Sequence, residues 1–457
     1  MTIRIQSINI DTSRSILDQI RLCFWAYLLL LIFEGAIRKW ILPGLSDAFL
    51  VIRDPIVLYV FILSLKYKLL RNNIINILYA FSAISFILTL LLGHQNLFVA
   101  TYGVRITLLH IPCIFIFGKA LTREDIHLIG KCVLYISILM FLILLLQYFS
   151  PRSAWINRGV GGIGTAGFSG VAGYMRPSGT FSFTSGMAGF ELLVSLFFFY
   201  YLYNNDRLSQ VYRLNKIVLS IVAICFFFSI ILCLSRSIIF QTLLMFVLML
   251  LFPIIHNEKS NKVIYILLLI IGSFLVLYQF EIFKIAFDNV FLRFDQASKA
   301  EGDVIKGTLG DRYFGSFYRA FFETQNYSNQ EIPFFGFGLG IGTKVGEAIL
   351  QIKSVGHSFA FAEEEWSRYI CEIGLLQGML FLLGIRFIYP LYLAGKAIIY
   401  AFKNKDSFLF LSIAPFLLYY VKNQWATPST LGFTVVLGGI FITAYNQYDF
   451  FKQTTLQ

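Results

Sequence analysis

Apolar runs of about 18 to 25 residues recur from one end of the chain to the other, each long enough to cross a hydrocarbon core roughly 30 Å thick as an α-helix. The pattern predicts twelve spans, at 21–37, 50–65, 74–92, 99–117, 130–149, 186–203, 217–234, 237–255, 263–281, 366–389, 407–421 and 431–446. The eleventh and twelfth are short, and a count of eleven or thirteen fits the same pattern. The expected fold class is all-α. A polytopic integral membrane protein of about 12 transmembrane helices follows, with residues 1–457 forming one membrane-embedded domain.

Composition agrees with that class and excludes others. Of 457 residues, 58% are hydrophobic and 14% charged, against roughly 25% charged in an average soluble domain. A polar segment precedes the first apolar run and further spans follow it, so that run does not read as a cleavable signal peptide. Cys23, Cys113, Cys132, Cys225, Cys233 and Cys371 lie in or beside apolar runs with no CxxC pair, and read as small buried hydrophobes rather than metal or disulfide ligands.

The net charge of +12 changes the picture through its placement. One set of short loops carries Lys66, Lys68, Arg71, Lys119, Arg123, Lys131, Arg207, Arg213, Lys216, Lys259, Lys262, Lys396, Lys403 and Lys405. The alternate set carries only Arg38, Lys39, Arg236 and Lys422. The positive-inside bias therefore puts both termini in the cytoplasm, and no nucleic-acid partner is needed to explain the charge.

Two long segments then fall on the extracytoplasmic face. The first, 150–185, is a glycine-rich loop with Arg152, Arg158 and Arg176. The second, 282–362, is a large cap loop between the ninth and tenth spans, mixing acids, bases, aromatics and glycine as an ordered segment does. A chain with its polar inventory on that face handles something outside. ATP-driven chemistry is disfavoured, since there is no GxxxxGK[ST] loop and Thr343-Lys344 mimics only its end.

Candidate chemistry clusters in and around these segments. Arg176, in Met175-Arg176-Pro177-Ser178-Gly179-Thr180-Phe181, sits on a turn where it can bind a phosphate in bidentate fashion or contact lipid headgroups. Arg236 breaks an apolar stretch at Leu234-Ser235-Arg236-Ser237, and Arg105 lies in the opening half of the fourth span. Both suit a hydrated cavity or snorkel to the surface. His110, a little over one turn deeper than Arg105, reads as a satisfied polar group between helices. Gly336, Gly338, Gly340 and Gly342 permit close backbone approach, either to a ligand or to a neighbouring helix. Arg312 beside Asp311, with Arg319, can hold a pyrophosphate or form an exposed ion pair, and Arg293 with Asp295 has the same two readings.

The strongest local cluster is Glu363-Glu364-Glu365-Trp366-Ser367-Arg368, leading through Glu372 to Gly374. On a helix, Glu364, Arg368 and Glu372 share a face at i, i+4 spacing. That is an ordinary structural arrangement. It also supplies Glu364 or Glu365 as a proton acceptor oriented by Arg368, and His357 offers an alternative base.

Four features together resemble the bacterial O-antigen ligase and Wzy-type polysaccharide polymerase superfamily. These are the Arg176–Phe181 turn before a span, the Ser235-Arg236 break, the outer loop with Asp311-Arg312 and the 335–340 glycine run, and the Glu372-Ile373-Gly374-Leu375-Leu376-Gln377-Gly378 segment. The opening Glu34-Gly35-Ala36-Ile37-Arg38-Lys39-Trp40 and Arg53-Asp54-Pro55 also look like a polymerase-like subgroup. The resemblance implies a GT-C-like membrane glycosyltransferase in a bacterial inner membrane, working without cofactor or metal. It implies an undecaprenyl-pyrophosphate-linked oligosaccharide as donor and acceptor, arginines that bind pyrophosphate, membrane lipids around the site, and a chain-length regulator as a further partner.

The ligase group carries a histidine eleven residues before the glycine of the Glu-x-Gly segment. Here that position is Glu363, and His357 lies six residues further back. The departure favours a polysaccharide polymerase over a ligase that transfers glycan to lipid A–core. A lipid-linked glycan transporter is the alternative of a different class, which inverted repeats would support.

Overall fold

A computed structural model describes residues 10–69, 73–162, 170–256, 278–301, 332–351 and 365–454, with isolated positions between them. Among the described residues every regular element is helical. The longer helices are α1 (Ile10–Ala36), α2 (Asp54–Lys66), α3 (Asn73–Leu91), α4 (Leu97–Arg105), α5 (Ile111–Ala120), α6 (Arg123–Phe149), α7 (Thr184–Asn204), α8 (Lys216–Leu232) and α9 (Arg236–Ile255). Then come α10 (Glu281–Glu301), α11 (Lys344–Leu350), α12 (Glu365–Ile373), α13 (Leu375–Phe381), α14 (Tyr389–Asn404), α15 (Ser407–Leu417) and α16 (Pro428–Thr454). Nine described helices are long and apolar enough to cross a membrane, while Lys216–Leu232 and Ser407–Lys422 are apolar but shorter. The chain is a multi-pass membrane protein. The run at 263–281 falls almost wholly outside the described residues.

Helix starts follow local chemistry. Thr122 and Asp125 form a capping box at α6, and the Asn96, Asn215 and Asp406 side chains cap α4, α8 and α15. Asp406 also joins three helices: Arg123 donates to its carboxylate at 2.8 and 3.1 Å and the Tyr448 hydroxyl at 2.9 Å. This junction lies at the end of the bundle that holds the lysine-rich loops, called here the basic end. The opposite, cap end carries residues 37–53, 150–162, 170–183, 233–235, 332–351 and α12.

Burial is concentrated on α7 and α16, which are covered nearly all round, as helices apolar on every side must be. Lipid supplies little hydrophobic drive between helices, so close packing through small residues does more of the work. Gly438 of α16 faces Ile114 of α5, and Gly130 of α6 faces Phe197 and Tyr201 of α7.

One boundary departs from expectation. The tenth span is expected over 366–389, but the chain breaks at Gly374, where φ is +83°. A side chain there would strike the Phe334 carbonyl, so glycine is required for both conformation and space. The membrane helix therefore begins at Leu375 and runs to Asn404 through a π-helical turn at Leu382–Ile388. The short α12 is a separate buried element at the cap end.

Candidate functional site at the cap end

The ends of α1 and α2 bring a polar network together. After Ala36 the chain continues as a π-helical turn over Ile37–Ile41, which buries Arg38 and Lys39. Lys39 Nζ donates to the carbonyls of Gly179 and Phe181 at 2.6 and 2.8 Å. Arg38 donates to Ser182 Oγ at 3.1 Å, to the Ser46 carbonyl at 2.8 Å and to Glu34 at 3.3 Å. The turn that carries Arg176 is thus held from beneath by two basic side chains. Gly35 lets it come that close, since a Cβ there would lie 2.5 Å from Ser182 N.

Arg53 extends the network sideways. Its Nε donates to Glu34 at 3.1 Å and its Nη2 to the Pro428 carbonyl at 2.7 Å. Next to it in sequence, Asp54 accepts from Arg105 Nη1 at 2.6 and 2.7 Å and contacts His110 Nε2 at 3.0 Å. His110 Nδ1 is 3.2 Å from the Tyr27 hydroxyl, so a neutral imidazole protonated on Nε2 satisfies both neighbours. His110 is the buried, hydrogen-bonded group that the sequence suggests. Arg105 is likewise buried and paired, so it does not snorkel. The cluster holds three guanidiniums (Arg38, Arg53, Arg105) against two carboxylates (Glu34, Asp54) before Lys39 is counted.

A second cluster is built on α12. Arg368 forks onto Glu365 through Nε and Nη2 at 3.0 and 2.7 Å and reaches Glu372 through Nη1 at 2.7 Å. All three are fully buried. Burial alone would lower the Arg368 pKa, but the flanking carboxylates outweigh it and hold the guanidinium well above its ordinary value. Burial pushes the neighbouring Cys371 thiol up to about 12. Arg386 supports the cluster from behind, 3.8 Å from Glu365 and stacked 3.8 Å over the Trp425 ring, with the Val421 and Asn423 carbonyls accepting its protons.

The glycine run joins these clusters to α3 and α4. Gly336, Gly338 and Gly340 have φ of +74°, +109° and +86°. Phe337 and Gly338 N–H groups donate to the Cys371 and Glu372 carbonyls at 2.9 and 2.8 Å, and Gly342 N–H to Glu372 Oε1 at 3.1 Å. On the other side, Leu339 N–H donates to Thr89 Oγ1 at 2.9 Å and the Leu339 carbonyl is 2.9 Å from His94 Nε2. Close approach to neighbouring helices, one of the two readings of this run, is realised.

The remaining expected site residues divide as follows. Arg176 and Arg236 are both half-buried at the cap end. Arg176 lies within electrostatic reach of Cys233, three residues before Arg236, and Gly170 packs on Leu234. Arg293 is half-buried on α10, where Asp295 pairs with Lys299 at 2.7 Å. Glu364, His357, Arg312 and Arg319 lie outside the described residues. Glu34, Arg53, Asp54 and Arg386 are additions: the sequence reading meets the first three only within the opening motif and omits Arg386. The signal for Arg386 is a lone arginine inside an apolar run, which needs buried partners.

Set against family models, curated proteins and solved structures, the chain matches none.

Proposed function

We propose that the protein is a polysaccharide polymerase, a metal-independent glycosyltransferase that moves an undecaprenyl-pyrophosphate-linked glycan onto a lipid-linked repeat-unit acceptor. In this reading it is a GT-C-like enzyme of the bacterial inner membrane, with about twelve spans, both termini cytoplasmic and the cap end extracytoplasmic. One observation carries it: Lys39 and Arg38 pin the turn bearing Arg176, at the same end of the bundle as Arg236 and the Arg368 cluster.

The acceptor hydroxyl attacks the anomeric carbon of the donor, and the bond from that carbon to the pyrophosphate oxygen breaks. Negative charge grows on the departing lipid pyrophosphate, where Arg176 and Arg236, half-buried and backed by the guanidiniums beneath, stabilise it. The hydroxyl proton passes to a carboxylate or imidazole, with Glu364, Glu365 and His357 as the candidates. Of these, Glu365 has both oxygens gripped by Arg368, an arrangement that holds a carboxylate in a fixed orientation.

The test supplies purified protein with undecaprenyl-pyrophosphate oligosaccharide and resolves the products. A ladder of elongated lipid-linked glycan is expected. Transfer to lipid A–core without a ladder would make the protein a ligase, and transbilayer movement without new glycosidic bonds would make it a transporter.

A further inference from the structure

The basic end contains a cleft that glycan transfer does not use. Between α3, α5, α14 and α16 lies a cavity of about 230 Å³. At about 30 Å³ of liquid volume per water, it has room for several water molecules. Its polar wall is Lys119, Lys396, Tyr389, Tyr392, Tyr445 and Asn446; the rest is apolar, and none of the lining residues is acidic.

Local structure sets both ammonium groups at this cavity. Lys119 ends α5 and donates to the Leu69 carbonyl, which fixes its direction and leaves it further protons to give. Lys396 lies 4.5 Å from the Tyr392 ring centre. It shares a face of α14 with Tyr389 and Leu393 at i, i+4, i+7 spacing. Two cations facing one space with no carboxylate in its wall suit an anion. Outside the cleft, Leu391 and Ile399 of α14 and Ile388 just before it are each more than half exposed, which makes that flank a surface for acyl chains.

We propose that this cleft binds the phosphate headgroup of an anionic phospholipid, with the acyl chains along the exposed flank of α14. Basic pockets between membrane helices take such headgroups, and tyrosines favour the headgroup level. The cavity is too polar for a purely apolar guest. Its lateral neighbours are too apolar to face water.

Full-length protein is assembled in nanodiscs of phosphatidylglycerol mixed with phosphatidylcholine, released, and its retained lipid counted by native mass spectrometry. Wild type is expected to prefer phosphatidylglycerol about tenfold or more, with a loss of about fivefold for each lysine removed in Lys119→Ala and Lys396→Ala. Lys403→Ala with Lys405→Ala, which removes two exposed lysines of the same end, is expected to keep the preference. Lys119→Arg with Lys396→Arg preserves the charges and is expected to keep it too, which covers the case of an alanine pair that does not fold. An unchanged preference in the folded alanine pair, or its loss in the arginine pair, overturns the assignment. Displacement of the bound lipid by millimolar inorganic phosphate also overturns it, since the cleft would then be a free-anion site.

Discussion

Arg53 Nε and Glu34 Oε2 form a buried ion pair at 3.1 Å that ties the start of α2 to the end of α1. Glu34 is shared, since Arg38 takes its other oxygen at 3.3 Å. Removing this carboxylate takes the shared counter-charge from two buried guanidiniums, and breaking a buried pair costs about 3–5 kcal/mol. Glu34→Gln is therefore expected to lower the thermal midpoint in detergent by far more than Asp295→Asn. The latter loses only an exposed pair with Lys299, worth about 0.5 kcal/mol. Equal midpoints for the two variants would show that Glu34 does not organise the cap end.

The contact between α4 and the glycine run gives a second prediction. A Cβ on Gly103 would lie 2.5 Å from Gly340 N and 2.7 Å from Leu339 C, both backbone atoms that cannot swing aside. Gly103→Ala is expected to cost about 1–3 kcal/mol through forced separation of the two segments. Gly395→Ala, on α14 with nothing within 4 Å of the added methyl, is expected to gain up to about 1 kcal/mol from helix propensity. Denaturant unfolding of both variants checks the sign as well as the size.

The spans were legible in the sequence because hydrocarbon demands long apolar runs, and the apolar runs lying on described residues fall largely on helices. The Arg368–Glu372 pair was legible too, as an i, i+4 spacing on a helix. What escaped was the joint at Gly374, since a glycine inside an apolar stretch reads equally as helix interior or as a positive-φ break. The Arg53–Pro428 contact spans 375 positions of sequence and has no local signature at all. The cap-end network therefore needed coordinates, while its members were visible as charges at the edges of spans.

Activity should depend on the hold that Lys39 has on the 178–182 turn. Lys39→Met removes the donor to the Gly179 and Phe181 carbonyls and is expected to cut ladder formation at least tenfold, matching Arg176→Ala. Arg176→Lys keeps the charge without the fork and is expected to recover only part of the loss. Full elongation by both Lys39→Met and Arg176→Ala would remove the turn from the mechanism.

The Cys371 thiol, raised by burial from 9.0 to about 12, is held protonated across the physiological range. Thiolate is the reactive form, and at pH 8 a pKa near 12 leaves a fraction on the order of 10⁻⁴. Maleimide at pH 8 is expected to leave Cys371 unmodified in folded protein and to label it fully after denaturation, read by peptide mass spectrometry. The folded state favours the protonated thiol. Its contribution is therefore complete below the unfolded pKa near 9 and is lost as pH climbs toward 12. Rapid labelling of folded protein at pH 8 would mean that the α12 cluster opens to solvent.

Arg368 separates a structural role from a catalytic one. Its guanidinium makes three contacts at 2.7–3.0 Å with two buried carboxylates, and no lysine rotamer reproduces that fork. Arg368→Lys keeps the charge but loses the bidentate grip on Glu365, so it should destabilise the fold moderately while freeing that carboxylate. Glu372→Gln removes the other partner and leaves the Glu365 fork in place. If Glu365 accepts the acceptor's proton, Arg368→Lys should shift the pH dependence of ladder formation, whereas Glu372→Gln should lower stability with the profile unmoved. Identical profiles in both variants would leave Glu365 as a structural partner of Arg368 and turn the search for the base to Glu364 and His357.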